Sequence, residues 1–100
     1  MTAVSAEYGF PYEHVENSVT AQVLGSTGAI GDYLHRIVVT VNTAATSTVS
    51  IIDGSFSHAI VRANTPIGVY DIEINAKTVT TGWKVTTGAG AEVLAMGTFT

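Results

Sequence analysis

Residues 24–42 read LGSTGAIGDYLHRIVVTVN, and the fold turns on the residues after the glycines Gly25, Gly28 and Gly31. A glycine-rich turn that cradles a phosphate needs a helix behind it, whose N-terminal N–H groups and dipole face the anion. Residues 32–42 are instead crowded with β-branched side chains and show no apolar repeat at three or four, which predicts a strand. The spacing is G-x-x-G-x-x-G rather than G-x-G-x-x-G, and no acidic residue closes a second strand in a βαβ frame. The stretch is therefore a hinge. Its glycines permit φ > 0 and let the chain enter the Tyr33 strand at a sharp angle. No cofactor is expected.

Outward from this strand the period is two almost everywhere. Tyr33, His35, Ile37, Val39 and Val41 fall on one face, with Leu34, Arg36, Val38, Thr40 and Asn42 on the other. Residues 47–52 alternate and end at an Asp53-Gly54 turn, and residues 57–62 form a shorter strand before Asn64-Thr65-Pro66. Residues 68–75 alternate most cleanly, with Tyr70, Ile72 and Ile74 inward and Asp71, Glu73 and Asn75 outward. Residues 83–87 and 91–99 flank Gly88-Ala89-Gly90 and read as a closing hairpin. With a weak strand over 19–24 this gives about seven strands, and turns at this spacing predict an all-β antiparallel sandwich. The predicted inward set is Tyr33, Ile37, Val39, Val49, Ile51, Ile60, Tyr70, Ile72, Ile74, Trp83, Val85, Val93 and Phe99.

Residues 1–18 have no clear period and read as an N-terminal arm before a sandwich domain over 19–100, with Tyr8, Phe10 and Tyr12 as its interface anchors. The chain has 100 residues, room for one small core. Only 12% of them are charged, about half of what a soluble domain usually carries, so Thr, Ser, Gly and Ala must coat the surface, which points to burial against neighbouring chains. The net charge of −4 with four Lys plus Arg leaves no phosphate-neutralising face, so nucleic acid is not an expected partner. No apolar run is long enough for a membrane-spanning helix and no leader is apparent, so synthesis in a cytoplasm and no membrane partner are expected. The absence of cysteine excludes disulfides and thiolate chemistry.

His14, His35 and His58 show no metal-ligand spacing with one another or with Asp53 and Asp71. Asp71 and Glu73, two apart on one face, fit a glycosidase-like pair or equally the solvated face of an amphipathic strand. With no nucleophile elbow or Cys–His arrangement, no catalytic residue is assigned and an enzyme is not expected. Asp32, Tyr33, His35 and Arg36 concentrate four polar groups at one strand start. Asp32 and Arg36 suit an ion pair, within the chain or between subunits, and are interface candidates.

Taken in order, GDYLHRIVVTVNTAATSTVSIIDGS (31–55), PIGVYDIEIN (66–75) and GWKVTTGAGAEVLAMGTF (82–99) resemble small virion proteins of tailed bacteriophages, over roughly residues 25–99. The resemblance implies a jelly-roll-like β-sandwich without cofactor or catalytic residue. It would sit on the capsid surface as a decoration or cement protein, bound to the major capsid protein and to itself, a trimer being the natural homo-oligomer at threefold positions. A carbohydrate-binding or adhesion module of a tail or fibre is the alternative, with Tyr8, Tyr12, Tyr70 or Trp83 as stacking platforms.

Overall fold

Period-two alternation, punctuated by glycine and polar links, folds into strands. The computed structural model describes residues 11–44 and 47–100. They form eight strands, β1 (Tyr12–Val15), β2 (Gln22–Val23), β3 (Tyr33–Val41), β4 (Val49–Asp53), β5 (Phe56–Val61), β6 (Gly68–Lys77), β7 (Trp83–Thr86) and β8 (Ala91–Thr98). Two antiparallel sheets of four strands result, in the orders β1-β8-β3-β6 and β2-β7-β4-β5. Their inner faces share one core, to which β1, β3 and β8 contribute Val15, Leu34, Ile37, Val39, Val93 and Ala95. β4, β5 and β7 contribute Val49, Ile51, Val61, Trp83 and Val85. Ile60, Tyr70, Ile72, Ile74 and Phe99 of the expected inward set are half-buried against it.

Three sequence readings are corrected. The first concerns β3. Leu34 is fully buried and Tyr33 is not, because the register slips: Leu34 pairs with Gly97 and Arg36 with Met96, so His35 is an extra residue on β3. A one-residue bulge reverses the facing of everything before it. Leu34 therefore joins Ile37, Val39 and Val41 in the core, and Tyr33 leaves it. Its hydroxyl instead donates to Asn75 Oδ1 at 2.6 Å and lies 3.1 Å from His35 Nδ1. Gly97 fits this crowded point because a Cβ there would run into the Tyr33 carbonyl.

The second correction concerns the closing hairpin. β7 and β8 lie in different sheets, and the link between them is a corner. Gly90, at φ +84°, and Gly88 pack against the link after β3, at Thr43 and Ser47. Among the described residues only β4 and β5 are consecutive strands within one sheet, joined through the Asp53–Phe56 turn. The third concerns the arm boundary. Tyr12–Val15 is strand β1, paired along its length with β8, so the sandwich begins inside the 1–18 segment. Val15 is fully buried, and Glu13 accepts from the Gly25 N–H at 2.7 Å and from Gln22 Nε2 at 2.8 Å, tying β1 to the β2 region.

Candidate functional site

Glycine loop 25–31 is where a phosphate site would be, and the amides of Gly25, Thr27, Gly28, Ala29 and Gly31 are already committed to the protein. The Thr27 and Gly28 N–H groups donate to the Thr100 main-chain oxygen at 3.0 and 2.9 Å. Ala29 N–H donates to Asp32 Oδ2 at 3.0 Å, and Gly31 N–H to Thr78. The next element is a strand rather than a helix, since β3 begins at Tyr33. All three glycines have positive φ, 85°, 71° and 90°, as the hinge reading requires. The hinge also serves as a clasp for residue 100, since a Cβ on Gly25 would meet the Thr100 oxygen at 2.5 Å whereas one on Gly31 would meet open space. Gly31→Ala is expected to cost only its left-handed backbone, about 1–2 kcal/mol. Gly25→Ala adds the displaced clasp and should cost roughly twice that. Urea midpoints of the two variants measure the difference.

Asp32 and Arg36 are not partners. Asp32 is buried and accepts from the Thr100 hydroxyl at 2.7 Å, the Thr100 N–H at 3.1 Å and the Ala29 N–H. Burial alone would raise its pKa, but the Thr100 side-chain and backbone bonds and the Ala29 bond outweigh it, so the carboxyl sits below the usual aspartate value. Arg36, carried past the bulge, reaches across to β6 and holds both oxygens of Asp71 at 2.7 Å. The expected Asp32–Arg36 pair does not form within the chain, because the extra residue at His35 turns the two positions to different faces. Among the other expected interface residues, Tyr12 is 68% exposed on edge strand β1, and Tyr8 and Phe10 lie outside the described residues.

Sequence reading missed Asp53. It ends β4, is 5% exposed, and accepts the consecutive N–H groups of Val79, Thr80 and Thr81 at 2.8, 3.1 and 2.9 Å. Burial again opposes ionisation, while these three bonds and the nearby His58 lower the pKa below the ordinary value. An Asp-Gly turn signal was visible, but not the distant loop whose amides the carboxylate collects.

The remaining polar groups are scattered. His14 Nε2 lies 2.9 Å from Glu92 Oε1, His35 faces Tyr33, and His58 is exposed on β5. Among the described residues no three His, Cys, Asp or Glu side chains are gathered as a metal site. Trp83 is 4% exposed within the core, so its indole offers no face for stacking a sugar. Asp71 and Glu73 are both on the exposed face of β6, and Asp71 is engaged by Arg36.

Two surfaces remain. On the outer face of the first sheet, Tyr12 lies beside Met96, and Leu94 beside Val38, an apolar stripe bordered by His14, Arg36 and Asp71. At the other margin of the sandwich a groove of about 610 Å³ opens between β5 and β6, lined among others by Ile60, Arg62, Tyr70 and Asp71. Phe56, Ile67 and Val69, all more than half exposed, belong to these strands and the link between them. Apolar side chains so placed suit contact with other protein surfaces better than solvent. Comparison of the chain with protein-family models, with curated proteins and with solved structures gives no match.

Proposed function

We propose that this chain is a non-enzymatic structural protein of a tailed-phage virion, a decoration or cement protein that binds the major capsid protein and stiffens the head shell. The observation that carries this reading is the strand order. Eight strands in two sheets ordered β1-β8-β3-β6 and β2-β7-β4-β5, with all but one connection passing between sheets, fit a jelly roll, an architecture recurrent in viral capsid domains. The sequence resemblance over residues 25–99 points the same way. So does a surface that is poor in charge and carries exposed Tyr12, Ile30, Phe56, Ile67, Val69 and Val79, because many weak apolar and small-residue contacts suit a protein that spreads over a shell.

In this reading residues 1–10 form the arm that grips neighbouring capsid subunits through Tyr8 and Phe10, and the capsid-bound protein is a symmetric oligomer, a trimer at threefold positions. Mixed with undecorated head shells of its own virus, the purified protein is expected to co-sediment with them and to raise their disruption temperature. Neither effect appearing would overturn the proposal. Removal of residues 1–10, a cut that spares β1, should leave the β-type circular dichroism intact and weaken co-sedimentation. Unfolding, or binding at full strength, would refute the arm.

A further inference from the structure

The sandwich is fastened on one side and open on the other. At the β1–β2 side Glu13 ties Gln22 and Gly25 together. At the opposite side β5 and β6 end their sheets, and no comparable polar bridge joins them among the described residues. Inner positions there are left uncovered. Phe56 pairs with buried Asp53 and His58 with buried Ile51, and cross-strand partners share a face, so both point to the core side of their sheet. Yet Phe56 is 55% exposed and His58 is exposed too. Across the gap Tyr70, Ile72 and Ile74 of β6 are only half-buried.

The flanks of this gap carry opposite charge. His58 and Arg62 are exposed on the β5 side, while Asp71 and Glu73 are exposed on the β6 side. Arg62 and Glu73 make no ion pair among the described residues, while Asp71 is held by Arg36 of its own chain but, with its side chain 54% exposed, can accept a second cation from outside. The groove brings Arg62 level with residues 69–72.

We propose that the open side is an interface between two copies of this chain, related by a twofold axis parallel to the strands. Such an axis preserves the level of every residue and exchanges the two layers. β5 of each copy then runs antiparallel beside β6 of the other, with Arg62 meeting the partner's Asp71 on the outer face of the joined sheet. Arg62 faces the partner's Asp71 twice, the two half-covered core margins close on each other, and both unpaired edges gain a neighbour. A twofold axis along the sheet normal would instead set like edge against like. This rests on the self-association in the proposed function but is a twofold contact of the isolated protein, distinct from the trimer proposed on the shell, so its failure and a failure to bind shells are read in separate experiments.

Sedimentation equilibrium tests it. The wild-type protein should be a reversible dimer, and Arg62→Glu and Asp71→Lys should each weaken self-association roughly 100-fold, because each places two like-charge contacts in the symmetric interface. An equimolar mixture of the two variants should dimerise again, since both contacts in the mixed dimer regain opposite charges. A monomeric wild type, reversals that associate like wild type, or a mixture that stays monomeric would each overturn the proposal. Amide exchange in wild-type β5 and β6 gives a readout independent of the variants' folding. Slowing with protein concentration is expected, and concentration-independent exchange refutes the interface. Exchange in these strands that accelerates in a monomer lacking residues 1–10 would assign the groove to that segment and equally refute it.

Discussion

Replacing Leu34 with alanine is expected to destabilise the protein by about 2–5 kcal/mol, a large share of the stability of a domain this size. Leu34 is fully buried in the narrow space where the bulge at His35 turns β3, opposite Gly97 and Ala76. Close strand neighbours limit the collapse that could fill the cavity. Tyr33→Ala, one residue earlier, should cost much less, because Tyr33 faces outward and forfeits a partly exposed hydrogen bond to Asn75. The comparison tests the bulge directly. Uninterrupted alternation from Tyr33 to Val41 would reverse the ranking, so urea denaturation showing Tyr33→Ala as the costlier change would reject the facing described above.

Asp53→Ala is the second substitution with a large expected effect. It removes one acceptor and strands three backbone N–H groups in the loop after β6, at a cost of about 2–4 kcal/mol. The loss should appear as a lower urea midpoint with an unchanged slope. The same carboxylate, with Asp32, sets the acid behaviour. Both have folded pKa values below the ordinary aspartate value, so below neutrality the unfolded chain takes up protons first. Their stabilisation is therefore fully present above the unfolded aspartate pKa of about 3.9 and is lost as pH falls through the lower folded values. Stability should stay nearly level from pH 7 to pH 5 with respect to these two groups and fall steeply below pH 4. Asp32→Asn combined with Asp53→Asn should be less stable at pH 7 and show a shallower acid decline. An unchanged decline would place the acid-sensitive groups elsewhere.

The jelly-roll reading and the proposed interface depend on how strands are shared between sheets, which turn signals alone do not reveal. Gly88-Ala89-Gly90 serves a hairpin and an inter-sheet corner equally well, since both need glycine to reverse the chain. Only the packing of Gly88 and Gly90 against Ser47 and Thr43 distinguishes them. β1 was illegible for a related reason. Four residues, Tyr12 to Val15, are too few to display a period, and they become a strand because β8 offers them a register.

By itself the sequence determined the class of this protein. Alternating apolar residues from Tyr33 onward, glycines at positive-φ turns and the absence of a helical repeat are local properties, and they dictate strands, hinges and a mostly uncharged surface whatever the final arrangement. Which strands become neighbours, where alternation slips, and which polar groups meet were decided by the tertiary structure, because each depends on residues far apart in the chain. His35 bulges where β8 passes, Arg36 finds Asp71 rather than Asp32, Asp53 collects amides from residues 79–81, and the glycine loop closes on Thr100. Hydrogen-bond geometry and the filling of one shared core select these partners, and no spacing along the chain encodes them.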